Sequence, residues 1–124
     1  MQLTREQHID GHERQLAAAK QQIQEAEELR KLVNSPLFKK VILQRFCVEE
    51  CARYAQLSAD PSIPAEARAD SLGIAQAAGH LRRWISVVER QAKQAMDSIP
   101  GLEDNLEQLR VQSDEDFEDS VETE

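Results

Sequence analysis

The apolar positions of this chain recur at helical intervals almost from end to end. Over residues 4–33, Ile9, Leu16 and Ile23 stand seven apart. Ala19, Ala26 and Val33 fill the alternate position of the same seam, with His12 and Arg30 as exceptions. Apolar side chains three and four residues apart gather on one helix face, so the pattern predicts a long amphipathic helix. The run AAAKQQIQEAEELRK consists almost wholly of strong helix formers. Thr4 followed three residues later by Gln7 has the form of a capping box. Roughly 30 residues at ~1.5 Å each make a rod of about 45 Å.

Asn34, Ser35 and Pro36 stop that helix and start the next, because proline disfavours helix at the residue before it and suits the first helical position. Residues 36–59 form the second predicted helix. Val41, Ile42, Leu43, Phe46, Cys47 and Val48 make it apolar over most of its circumference, which predicts burial on several faces. Pro61 and Pro64 set a loop at 60–64. A third long helix is expected over 65–98. Its seam of Ile74, Ala78, Leu81, Ile85, Val88, Ala92, Ala95 and Ile99 keeps a strict 4-3 spacing that continues through Leu102, Leu106 and Leu109. Pro100 removes a backbone donor and crowds the preceding turn, so the helix must kink or break there, and a break with a short fourth helix over 101–111 is favoured over a mere kink.

The expected fold is therefore all-α: an antiparallel helical hairpin or three-helix arrangement with long coiled-coil-like helices, a short fourth helix and a disordered acidic tail. Residues 1–112 form the helical domain and 113–124 the tail. A thin rod buries little surface, so part of the 74–109 seam is expected to be covered by a second copy or another protein.

Charge sharpens this division. The 124 residues carry a formal net charge of −8. Seven acids and no base fall in 113–124, while 1–112 nets only −1. A nearly neutral body without a basic stripe argues against direct nucleic-acid binding. There is no apolar run long enough for a membrane span and no apolar stretch of the secretory type at the start. Cys47 and Cys51, four apart within a helix, suggest a reducing cytoplasm rather than a disulfide framework.

Candidate chemistry is sparse. His8 with His12, and Cys47 with Cys51, each have the i,i+4 spacing of metal ligands. In a hairpin turning at 34–35 the two pairs would stand about 15 Å apart along the helices, too far to share a metal. Cys47 and Cys51 are therefore expected to be small buried apolar groups. Glu49 is expected to pair with Arg53 at i,i+4. No phosphate-cradling glycine loop or nucleophile elbow occurs, so no catalytic residue and no cofactor is assigned. Gly73 and Gly79, costly inside a helix, suggest close helix–helix approach beside Ala75 and Ala78.

Trp84, one position off the seam, is either a core-flanking residue or an interface anchor. Lys39, Lys40 and Arg45 form a small basic group consistent with a solvated helix side. Partner contact is assigned to Leu81, Trp84, Ile85, Val88 and Ala92 on the seam, and to Asp114, Glu115, Asp116, Phe117, Glu118 and Asp119 in the tail. The tail is suited to docking on a basic surface.

Four motifs carry a resemblance. They are N-S-P-L-F-K-K at 34–40, F-C-V-E-E-C-A-R at 46–53, L-S-A-D-P at 57–61 and A-G-H-L-R-R-W at 78–84. Together, over about residues 30–95, they resemble a family of small, acidic, all-helical proteins of tailed bacteriophages, from virion assembly regions. The resemblance implies a non-enzymatic structural or morphogenesis protein (scaffold-, core- or connector-associated). Such a protein would act in the host cytoplasm or the virion, with capsid or connector components as partners and a homo-oligomeric state. A different class is kept beside it: a small acidic inhibitor presenting carboxylates to a host nucleic-acid-binding enzyme in place of phosphates.

Overall fold

The computed structural model describes residues 2–112 and 116. Its architecture is all-α, with no strand among the described residues. Three helical stretches follow one another: α1 (Arg5–Val33), α2 (36–58) and α3 (Ala65–Val111). The chain divides into two compact units, one drawing on Met1–Glu25 with Arg90–Glu124 and the other on Ala26–Glu89. The sequence reading treats 1–112 as a single helical domain; α1 and α3 each contribute to both units.

The start of α1 follows its local code. The Thr4 backbone N–H donates to Gln7 Oε1 at 2.8 Å, and the Gln7 N–H donates to Thr4 Oγ1 at 3.1 Å. This reciprocal pair satisfies two donors that a helix terminus would otherwise leave open. In the first unit, α1 and the end of α3 run in opposite directions. Arg5 Nε donates to the Leu109 carbonyl at 2.6 Å and Arg5 Nη2 to the Arg110 carbonyl at 2.9 Å. Arg110 in turn pairs with Glu13 at 2.9 Å. The guanidinium of Arg5 thus closes the last turn of α3, where carbonyls lack helical partners and the helix dipole favours a cation. Between these segments Ala19, Ala92, Ala95 and Leu106 are buried.

In the second unit, Ser35 caps α2. Its Oγ accepts the Phe38 N–H at 3.1 Å, with Pro36 at the first helical position. After one α-helical turn the winding changes. Lys39–Glu50 is a π-helix, and Cys51–Ser58 returns to α geometry. At the exit the Cys51 N–H donates to the carbonyl of Phe46, five residues back. The sequence supplies a reason. Phe38, Ile42, Phe46, Glu50 and Tyr54 are all half-buried at strict four-residue steps. At about 100° per residue an α-helix overshoots by roughly 40° at each such step, so the stripe would rotate out of the core. A wider turn with bonds to the fifth residue drifts the other way, so the π stretch offsets the overshoot of the α turns on either side of it.

Asp60 organises the turn that follows α2. Its Oδ1 accepts the Ser62 backbone N–H at 2.9 Å and the Ser62 hydroxyl at 2.8 Å. Those bonds, with the charge of Arg68 adding to them, hold the Asp60 carboxyl below its ordinary range. The helix that begins at Ala65 lies antiparallel to α2. The Cys51 thiol meets the Ala75 carbonyl at 3.5 Å, and Arg82 lies near enough to Cys47 for its charge to act there.

Two expectations are corrected. The break at Pro100, and with it a separate short fourth helix, is absent: α3 is continuous from Ala65 to Val111 with Pro100 inside it. The missing N–H leaves only the Met96 carbonyl without its helical donor, and Met96 and Pro100 are both exposed, so water can serve it. The unbroken apolar register on both sides of Pro100 outweighs the local cost. The second correction concerns the seam, which the folded chain itself largely covers. Ala78, Ile85, Ala92, Ala95 and Leu106 are buried, and only Ile74 is exposed.

Candidate functional site

The helix face that packs inward in the second unit is set by Ser71, Ala78 and Ile85, seven residues apart and all buried. Seven residues are close to two α-helical turns, so these side chains line up. Trp84 stands about 120° around the helix from that line. It is 56% exposed, unusual for the largest apolar side chain. Leu81 and Val88 lie between the two directions and are half-buried. Ile74 and Ala77 extend the flank as exposed apolar positions. The stripe Ile74, Ala77, Leu81, Trp84 and Val88 has the 3-4 spacing of a packing seam of its own.

The partner-contacting assignments therefore separate. Ile85 and Ala92 are buried inside the folded chain, and their assignment to a partner is corrected: both are core residues. Leu81 and Val88 are shared between core and surface, while Trp84 faces outward. Asp116 is exposed. Asp114, Glu115, Phe117, Glu118 and Asp119 lie outside the described residues.

The glycines of α3 also behave differently from expectation. No atom approaches within 4 Å of where a Cβ would stand at Gly73 or Gly79. Their absence of side chain admits no neighbouring helix of this chain.

Electrostatically, the second unit is uneven. The stretches 29–48 and 71–88 contain seven Lys and Arg residues and no acid. Lys39, Lys40, Arg45, Arg82 and Arg83 are all exposed. None of these five forms an ion pair among the described residues, whose salt bridges are Arg30–Glu27, Arg53–Glu50 and Arg110–Glu13. The charge of Arg82 acts on the Cys47 thiol of α2, while Trp84, two residues on, lies on nearly the opposite side of α3.

Glu50, not Glu49, pairs with Arg53, at 2.7 Å and i,i+3 spacing, and the guanidinium lies 4.3 Å from the Tyr54 ring centre. The expected Glu49–Arg53 pair presumed α geometry through residue 50. The π-helix ends there, and the face of Arg53 shifts with it. Burial pushes the Cys47 thiol up, with Arg82 opposing, so this cysteine is held as a neutral thiol. His12 donates its Nδ1–H to the His8 carbonyl at 2.8 Å. Among the described residues no three of His, Cys, Asp and Glu are grouped to hold a metal.

No family model, curated protein or solved structure matches this chain. The surface must be read from its own chemistry. An exposed indole with flanking aliphatic positions has the character of a protein-contacting hot spot, where Trp is enriched. No helix among the described residues is long and apolar enough to cross a membrane.

Proposed function

We propose that this chain is an assembly protein of a tailed bacteriophage. It works without catalysis, by docking the outward flank of α3 on another protein and using its acidic C-terminal segment as an electrostatic contact. The observation that carries this reading is Trp84, 56% exposed beside Ile74, Leu81 and Val88 on one flank of α3. Leaving such surface in water costs about 25 cal/mol per Å², and its burial against a partner would recover that free energy. The motifs at 34–40, 46–53, 57–61 and 78–84 direct the choice of partner toward capsid or connector components. An all-α body with long helices suits a structural role.

The inhibitor reading fares less well on the same grounds. It requires carboxylates arrayed on a folded face, and the helical body nets only −1. Glu13, Glu27 and Glu50 are moreover engaged by arginines.

The test is to locate the chain biochemically. The parent should be found in purified virions or precursor shells, and captured by purified capsid or connector protein. Trp84→Ala should weaken that capture by about 2 kcal/mol, some thirtyfold, with an unchanged helical spectrum. Absence from both virions and shells, together with retention of a host nuclease or polymerase instead, would reverse the assignment.

A further inference from the structure

The two sides of the α1–α3 pair in the first unit differ in charge. One groove between the helices, about 370 Å³, is lined by Glu13, Lys20, Glu103 and Arg110 together with three apolar residues. A second groove, about 540 Å³, lies on the other flank of α1. None of its nine lining residues is charged, in a chain that is 31% charged. Charged walls belong in water, whereas a strip of small and amide side chains loses water at little cost if its amides find partners. We propose that this uncharged groove is the contact surface of a symmetric dimer, filled by the same groove of a second copy of this chain. The inference goes beyond the docking of Trp84 and does not depend on it.

Three observations identify the occupant. The first is that the groove matches itself. On α1 it carries Gln15, Ala18, Ala19 and Gln22. A two-fold axis across the groove, perpendicular to both helices and midway between Ala18 and Ala19, lays a second α1 antiparallel on the first. Gln15 then stands opposite Gln22, and Ala18 opposite Ala19. On α3 the same operation, centred between Gln94 and Ala95, sets Gln91 opposite Ser98. The two centres lie at one height. Arg5 meets Leu109, and equal steps inward from that contact bring Ala18 and Ala19 level with Ala95 to within about a residue. One axis therefore serves both helices. Alanine opposite alanine lets helix axes approach to about 8 Å, and amide opposite amide or hydroxyl supplies both donors and acceptors.

The second observation is charge at the rim. Arg14 and Glu25 flank the groove on α1, and Arg90 and Asp97 flank it on α3. None of the four forms an ion pair among the described residues. The same axis brings Arg14 within two residues, about 3 Å, of the level of Glu25 of the second copy, and Arg90 equally near the level of its Asp97. Opposite charges thus meet on both edges. The third is extent. Two helices side by side make a face about 20 Å wide, and the groove with its rim runs about 20 Å along them. Roughly 400 Å² per copy is half of a standard interface, so the dimer is weak and reversible. A foreign helix in the groove would explain the missing charge, but not the two-fold match or rim charges that meet across the same axis.

Sedimentation of the full chain should show a reversible monomer–dimer equilibrium with a Kd of about 10–100 μM, as suits an interface of this size. Ala18 is exposed and glutamate is a good helix former, so Ala18→Glu leaves the single chain's packing intact. It places two carboxylates beside the axis and should weaken dimerisation at least about tenfold with an unchanged helical spectrum. Arg14→Glu should weaken it about threefold, and Arg14→Glu/Glu25→Arg should return it to the parent value. Arg14 and Glu25 stand eleven residues, about 16 Å, apart in one copy, so that repair can occur only between copies. A folding defect cannot produce it.

A chain that stays monomeric well above that range would overturn the proposal, as would dimerisation indifferent to Ala18→Glu or no recovery in the double swap. Dimerisation lost in Trp84→Ala but kept in Ala18→Glu would move the contact to the flank of α3 and overturn it too. A monomeric chain whose capture by capsid or connector protein is abolished by Ala18→Glu would give the groove to that partner instead. Dimerisation lost in Ala18→Glu, with capture still sensitive to Trp84→Ala, is the expected result and keeps the two surfaces separate.

Discussion

Gly79 sits in the middle of α3 with open space where its side chain would be, and Gly73 is alike. Within this chain neither glycine is needed for close packing, yet each costs a helix interior about 1 kcal/mol relative to alanine. Gly79→Ala and Gly73→Ala should therefore each raise unfolding stability by about 0.5–1 kcal/mol, read as a higher urea midpoint at unchanged slope. A fall in midpoint would mean that a neighbour does approach these positions. Trp84 shows the same logic from the opposite side. Its place one step off the seam was legible in the sequence, but its orientation was not, because a residue flanking an apolar stripe can turn either way. Ile85 and Ala92 mark the reverse case. They belong to a stripe that looked long enough to need a partner, and the antiparallel helices of the chain bury both.

At the level of helices, the boundaries set by capping chemistry were readable in advance. Thr4 with Gln7 starts α1, Ser35 with Pro36 starts α2, and the turn around Asp60 divides α2 from α3. Those signals are local, involving partners within three residues. What escaped sequence reading is non-local or depends on winding. The cap that Arg5 places on the end of α3 joins residues 104 apart. The π-helix of Lys39–Glu50 lies latent in four-residue apolar steps that look like an ordinary multi-faced helix. Pro100 shows a local rule losing to packing, since α3 continues through it. Pro100→Ala should restore a donor to the Met96 carbonyl and remove the crowding of the ring. Thermal unfolding followed by helical circular dichroism should show stabilisation of about 1–3 kcal/mol with no change in helix content. A rise in helix content would instead mean that α3 is interrupted in the parent.

On the scale of the whole molecule, the two units are built from different materials. Of the five aromatic residues, Phe38, Phe46 and Tyr54 are half-buried in the second unit, which also buries Ile85. The first unit has Ala19, Ala92, Ala95 and Leu106 as its buried apolar residues. Alanine removes little apolar area from water, while each half-buried large side chain contributes a part of the roughly 1.5–3 kcal/mol of full burial. The first unit accordingly depends on helix propensity, on the cap from Arg5 and on the exposed Arg110–Glu13 pair, which contributes at most about 1 kcal/mol. Sub-global opening should begin there. Amide hydrogen exchange on the full chain should find protection in 8–22 and 95–108 at least about tenfold below that in 42–56 and 75–88. Arg5→Ala should lower it further in 95–108 while leaving 42–56 unchanged. Equal protection throughout, falling together in Arg5→Ala, would mean that the chain opens as one cooperative body and that aromatic content does not set the order of its unfolding.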